Sequence, residues 1–478
     1  MTSLLIVFIH AVLMAAVILR VLLRRPARGV AVAWLLLAAT VPYFGALLYF
    51  LIGERRISRG RALMQGDFHK ITAPHLAENR LQYGGVQLTH KQQPLERAGQ
   101  SFFGAPAFAG NSVTLASDTL AMLKHMAADI DAARISALAE FYIWTEGGLT
   151  RGVLEALIRA AGRGVKCLVL VDALGAASWW RGAEPDMLRK AGVELRAALP
   201  VGLLRGLAGR TDLRLHRKIV VIDGRIAWTG SMNMVDPRFF KKDAGVGEWV
   251  DAMLRIEGPV AGALAAVMIS DWVAEGGVTL EQVVAETGLE PAPPQGSSSI
   301  QVLASGPGES GDGLLQVMLA LINAAEREVV VTTPYFVPED SLVTALRGAA
   351  ARGVKVVVVL PRRIDSLLVR HASRSFFDEV IAAGGEIYEF KGGLLHTKSI
   401  TVDGEQAMFG TANFDMRSLW LNYEVSLLVY DRDAVAGIRS LQQNYLDDAE
   451  AVMLVPWNQR PVGARLIEST MRLMTPLL

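Results

Sequence analysis

A chain of 478 residues is too long for one ordinary core, and 51 % hydrophobic residues with a mean hydropathy of +0.31 is high for a soluble enzyme. A formal net charge of +1 excludes the global basic field that nucleic-acid binders use. The single cysteine, Cys167, excludes an intramolecular disulfide and a cysteine zinc cluster, and its apolar surroundings read as a buried small residue.

The apolar excess sits at the N-terminus. Residues 4–19 are apolar except for His10, Arg20 interrupts the run before Val21 to Leu23, and residues 29–53 carry no charge. About 20 helical residues cross a hydrocarbon core, so the second segment is long enough to span with some tilt. With a short link through Arg24, Arg25 and Arg28, residues 1–53 predict a transmembrane or re-entrant helical hairpin. The first segment lacks the basic start and cleavage site of a secretory signal. Arginines flank both segments about equally, so the positive-inside rule does not set an orientation.

Residues 54–105 are polar and read as a connector. Beyond it the chain repeats itself. Residues 159–172 (RAAGRGVKCLVLVD) and 348–361 (GAAARGVKVVVVLP) each read as a helix end, a turn and a buried strand of β-branched residues. A further helix and strand precede each copy, over 120–144 and 314–337. Between the copies, residues 290–299 (EPAPPQGSSS) cannot pack a core. The expectation is an α/β fold of two like-sized units, 106–288 and 300–478, joined by a linker at 289–299, each a mixed sheet flanked by helices and related by a pseudo-two-fold axis.

Each unit carries one signature. The first has His216, Lys218, Asp223 and Gly224, then Gly230, Ser231 and Asn233; the second has His396, Lys398, Asp403 and Gly404, then Gly410, Thr411 and Asn413. Residues i and i+2 of an extended segment share a face, so His and Lys point together. Asp-Gly favours a tight hairpin turn, and the returning strand brings the hydroxyl and amide back beside the pair. An imidazole, an ammonium, a hydroxyl and an amide around one spot suit a phosphodiester. Displacement at phosphorus needs attack on one face and protonation on the other, which two facing copies supply. His216, Lys218, Asp223, His396, Lys398 and Asp403 form the catalytic set, with the two aspartates read as structural members at the turn. Ser231, Asn233, Thr411 and Asn413 are candidate substrate-binding residues. Asp251 and Glu424 occupy matching positions in the two copies and are candidates to orient the histidines. The other histidines lack such company.

The doubled motif resembles that of the phospholipase D superfamily. The run 410–418 (GTANFDMRS), Leu421 to Glu424, Leu394 to Lys398, Thr333 to Phe336 and the tail 468–478 narrow the resemblance to the bacterial cardiolipin synthases. Val250, where that family often has arginine, and the loop 231–238 depart from its pattern. The resemblance covers nearly the whole chain and is weakest over 54–105. It implies two phospholipase D-like units and phosphatidyl transfer through a phosphohistidine, with no metal and no cofactor. His216 would be the nucleophile and His396 the general acid and base. Two phosphatidylglycerols would give cardiolipin and glycerol. It further implies phospholipid partners, a bilayer, no nucleic acid, and a bacterial inner-membrane location with the catalytic units at the cytoplasmic face. A phospholipase D-type hydrolase would share every catalytic residue; a nuclease and a non-catalytic lipid-binding protein are the remaining alternatives. Three stretches that mix apolar or aromatic residues with arginine are candidates for the membrane face: 178–181, 200–210 and 455–460.

Overall fold

The computed structural model describes residues 2–24, 28–53, 86–200, 212–308, 311–473 and 475. These fall mainly into an N-terminal helical unit and an α/β body built from 86–200 and 214 onward.

In the helical unit, Thr2–Arg24 forms one helix, and its part Leu5–Arg24 has mean hydropathy 2.7 and is mostly exposed. Twenty residues at 1.5 Å each give about 30 Å, enough to cross a hydrocarbon core. The second apolar segment, expected to be long enough to span, does not form one helix. Arg28–Thr40 ends at 13 residues, and a short helix resumes at Phe44–Leu48. Pro42 lacks the N–H needed to continue the ladder and disfavours helical geometry at Val41. Tyr43 then turns the chain with φ 63°. Val17, Val21, Trp34, Ala38, Ala46 and Tyr49 form a small core among these helices. A Cβ on Gly45 would stand 2.4 Å from the Leu37 carbonyl oxygen, so only glycine allows this close return. One arm is long enough to span, and the other is broken.

The α/β body holds a 16-stranded sheet. The first repeat contributes β1 Phe108–Ala116, β2 Ser136–Phe141, β3 Lys166–Asp172, β4 Glu194–Ala198, β5 Arg214–Leu215, β6 Ile219–Ile222, β7 Ile226–Gly230, β8 Trp249–Val250 and β9 Met253–Glu257. The second contributes β10 Ser298–Ser305, β11 Glu328–Thr332, β12 Phe336–Val337, β13 Lys355–Pro361, β14 Glu386–Phe390, β15 Leu394–Leu395, β16 Ser399–Val402, β17 Gln406–Gly410, β18 Phe414–Asp415, β19 Asn422–Val429 and β20 Ala449–Ala451.

At the centre β1 and β10 pair antiparallel. Outward from β1 run β9, β7, β6, β2, β3 and β4; outward from β10 run β19, β17, β16, β11, β13 and β14, with β20 at the edge. The two halves of this order match strand for strand, which is the pseudo-two-fold expected from the repeats. β2, β3 and β4 are parallel to one another, as are β11, β13 and β14, while the strands nearer the centre are antiparallel. The Val-rich runs of β3 and β13 are buried along almost their whole length, as parallel strands covered on both faces require.

One departure concerns the stretch read as a connector. Its last part forms a helix, Gln92–Phe103, packed against β10 and the helix Gly313–Asn323. Its Gln92 side chain donates to the carbonyls of Glu405 and Tyr430 at 2.8 and 3.0 Å. Leu95 and Phe103 are buried at an amphipathic spacing masked by the polar composition.

Two of the three candidate membrane stretches resolve differently. Trp179 is fully buried and stacks on Trp144 at 5.1 Å, so 178–181 contributes to the core of the first repeat. Trp457 is also buried, stacked on Phe377 with the Arg460 and Arg374 guanidiniums 3.5 and 4.4 Å from its ring centroid. A tryptophan so enclosed is not a headgroup anchor. The stretch 200–210 lies outside the described residues except for Pro200.

Candidate active site

β5 leads into His216 and pairs not with its own repeat but with the start of β19, the strand that carries Glu424. Reciprocally, β15 leads into His396 and pairs with β8, which leads directly into Asp251. The backbone N–H of His216 donates to the Tyr423 carbonyl at 2.9 Å, and that of His396 to the Val250 carbonyl at 2.8 Å. Each histidine is therefore delivered beside the carboxylate of the other repeat. His216 Nδ1 lies 2.8 and 2.9 Å from the two Glu424 oxygens, and His396 Nδ1 lies 2.7 Å from Asp251 Oδ1.

The electrostatics assign the tautomers. Burial opposes charge on Glu424, but His216 and Lys218 outweigh it and hold the carboxyl below its ordinary range. Asp251 is held down in the same way by His396 and Lys398. An ionised carboxylate only accepts, so each Nδ1 carries the proton and each Nε2 keeps its lone pair. Burial lowers both imidazoles to about 4, against the pull of the carboxylates and with the help of the nearby lysines. Burial likewise brings Lys218 down to about 8 and Lys398 to about 7. Lys398 acts on His216 and Lys218 on His396, so the four groups of the two motifs share one field. Each lysine ammonium donates to the carbonyl oxygen of its own histidine.

The residues expected to bind substrate separate into two kinds. Ser231 Oγ donates to Asp251 and Thr411 Oγ1 to Glu424, both at 2.6 Å, and both hydroxyls are buried. Their hydroxyls point at the carboxylates behind the histidines, an arrangement that positions those carboxylates. Ser418 at 2.7 Å and Asn422 at 3.1 Å complete the set of donors around Glu424. Asn233 Oδ1 accepts from the backbone of Ile143 at 3.2 Å, whereas Asn413 Oδ1 has no partner among the described residues.

Asp223 and Asp403 lie apart from this cluster. Both sit in the left-handed region, with φ 51° and 55°, at the hairpin turns. Asp223 accepts from the backbone N–H groups of Arg134, Ile135 and Ser136, and Asp403 from those of Glu326, Arg327 and Glu328. They tie each motif hairpin to the start of β2 or β11. Asp223→Ala is expected to destabilise the fold by about 1–2 kcal/mol, since three charge-assisted bonds are lost while water can still reach the donors of Arg134 and Ile135. Urea unfolding checks this. A midpoint unchanged from the parent would show that the turn does not depend on the carboxylate.

Sequence reasoning missed several neighbours. Tyr142 meets the His216 ring edge-on at 5.1 Å, and Trp249 lies 4.3 Å from the His396 ring. The residues between each His and Lys differ. Arg217 is buried, pairs with Asp271, and donates to the carbonyls of Glu424 and Ser305 at 3.0 and 3.1 Å. Its counterpart Thr397 bonds Tyr445 at 2.9 Å. The ionic clamp holds the first motif against β19 and the neutral one serves the second. Only the i+2 spacing of Trp249 and Asp251 hinted at any of these in the sequence.

The chain is similar to known proteins along its whole length. The family described as "Cardiolipin synthase, PLD-like domain" matches residues 126–250 and 318–445, and "Phospholipase_D-nuclease N-terminal" matches 12–54. Cardiolipin synthase A of Pectobacterium carotovorum subsp. carotovorum is 41 % identical over 479 residues, covering 100 % of this chain and 98 % of that protein. Cardiolipin synthase A of Serratia proteamaculans is 41 % identical over 478 residues with the same coverage. Among solved structures, a phosphatidylserine synthase of Haemophilus influenzae Rd KW20 shares the fold at TM-score 0.61 and 16 % identity, covering 80 % of this chain and all of that one. With two family-model matches on its two repeats and whole-length similarity to these relatives, the chain belongs to the cardiolipin synthase family of phospholipase D-like enzymes.

Proposed function

We propose that the enzyme makes cardiolipin from two phosphatidylglycerols, releasing glycerol, at the bacterial inner membrane with the α/β body on the cytoplasmic side. The observation that carries this reading is the crossed pair of histidine–carboxylate contacts at the junction of the repeats, one for each face of a phosphorus atom. The whole-length similarity to proteins named cardiolipin synthase A supports the choice of product.

In this reading binding of the phosphodiester anion brings a proton onto His396 Nε2; His216 Nε2 then attacks phosphorus and the bond to glycerol oxygen breaks, the departing oxygen taking that proton from His396 Nε2. A glycerol hydroxyl of the second lipid then gives its proton to His396 and attacks the phosphohistidine, breaking the P–N bond. Glu424 and Asp251 stabilise the imidazolium forms, and Lys218 and Lys398 offset charge on the phosphoryl oxygens. Mass analysis after incubation with phosphatidylglycerol alone tests the proposal. Cardiolipin and glycerol in equal amounts are expected, undiminished by excess chelator; phosphatidic acid as the sole lipid product would mean that water is the acceptor.

A second expectation concerns pH. In the empty site both imidazoles are lowered to about 4 and Lys398 to about 7. A phosphodiester anion beside them raises these values, so binding takes up protons between the free and bound values. Affinity for a non-hydrolysable phosphodiester lipid should therefore tighten as pH falls from about 8 to about 6. Calorimetry in two buffers of different ionisation enthalpy reads the uptake directly. Proton release on binding would contradict the assignment.

A further inference from the structure

The helix Val462–Leu473 is amphipathic in the inverted sense. Its Glu468 faces inward, buried, accepting from Arg374 Nε at 3.0 Å and pairing with Arg460 at 3.1 Å, and Arg472 pairs with Glu379 and Asp340. Its aliphatic side chains face outward: Val462, Leu466 and Leu473, at i, i+4 and i+11, lie on one stripe and are 62–82 % exposed. The helix Leu367–Arg374 packs against it and adds Leu367 and Leu368. The aliphatic stripe itself gains nothing from water, since Glu468 is turned into the protein and Arg472 is held in ion pairs. Arg370 and Arg465 are exposed on the same two helices and have no ion pair among the described residues. Aliphatic side chains with unpaired guanidiniums match the boundary between acyl chains and anionic headgroups.

The face also connects to the site. Asp365, two residues ahead of Leu367, accepts from Tyr335 and pairs with Lys241, both at 2.8 Å. The Lys241 ammonium lies 5.6 Å from the Trp249 ring, which lies against His396.

We propose that the face formed by helices Leu367–Arg374 and Val462–Leu473 docks on an anionic phospholipid bilayer and holds the His396 side of the site at the lipid surface. This rests on the reading of a phospholipid substrate. It adds a second membrane contact, made by the α/β body itself.

The test uses the full chain in vesicles of phosphatidylglycerol and phosphatidylethanolamine. A fluorophore sensitive to its surroundings is attached through Leu466→Cys and, as control, Lys190→Cys, Cys167 being buried. Lipids brominated on their acyl chains should quench the Leu466→Cys probe and spare the control. Equal, weak quenching at both positions overturns the proposal, as does disulfide cross-linking of Leu466→Cys between two chains, which would make the occupant a second copy. The triple variant Leu367→Ser, Leu466→Ser, Leu473→Ser should lose on the order of ten-fold in turnover of bilayer phosphatidylglycerol. It should keep parent activity on a short-chain phosphatidylglycerol below its micelle concentration. Unchanged bilayer turnover overturns docking while leaving the substrate reading intact. A parent enzyme inactive on both lipids would instead defeat that reading, with the quenching result still deciding the docking.

Discussion

His216→Ala should abolish turnover and the covalent lipid adduct together, a loss of about 10⁶-fold on the scale seen when a nucleophile is removed. The reason is geometric. Glu424 accepts the Nδ1 proton of His216, leaving Nε2 unprotonated, and burial keeps that nitrogen neutral with its value near 4. His396→Ala should behave differently. Loss of the general acid slows turnover by about 10²–10⁴-fold, and a phosphohistidine accumulates wherever the glycerol oxygen departs unaided. Mass spectrometry of acid-quenched protein after brief exposure to phosphatidylglycerol would locate the adduct. Phosphate trapped on His396 in the His216→Ala variant would reverse the two roles.

The second large effect follows from the crossing of carboxylates between repeats. Glu424→Gln keeps the volume and the neighbours Thr411 and Ser418 but removes the charge that His216 and Lys218 face. A fall of about 10³–10⁴-fold is expected, by analogy with an amide replacing the aspartate behind a catalytic histidine. Asp251→Asn should impair His396 instead. A phosphodiester with a nitrophenolate leaving group separates the two, because that group departs without protonation. Its release should stay slow in Glu424→Gln and return close to the parent rate in Asp251→Asn. The opposite pattern would mean that each carboxylate serves its own repeat in catalysis, contrary to the hydrogen bonds.

Much of this was legible along the chain because it is local. The β-branched runs of β3 and β13 after their helices marked the repeat through periodicity alone. His216 with Lys218, and His396 with Lys398, declared themselves through i+2 spacing, and the Asp-Gly pairs marked the hairpins that return to them. The break at Pro42 was also in the sequence, where a charge-free run of 25 residues masked it. The tryptophans near 179 and 457 misled because composition does not distinguish a headgroup anchor from a stacked core ring.

Two repeats, the side chains each brings and their fit to a phosphodiester were readable along the chain. Which carboxylate serves which histidine was set by the fold. That choice depends on β5 pairing with β19 and β15 with β8, contacts between residues some 150–200 positions apart, whose partners are selected by the antiparallel joining of β1 to β10. The fold likewise decided that Ser231 and Thr411 turn to carboxylates, and that the last long helix turns Glu468 inward. In each case a buried charge must find its partner before it can leave water, and the partner is supplied by the fold rather than by neighbours in the chain.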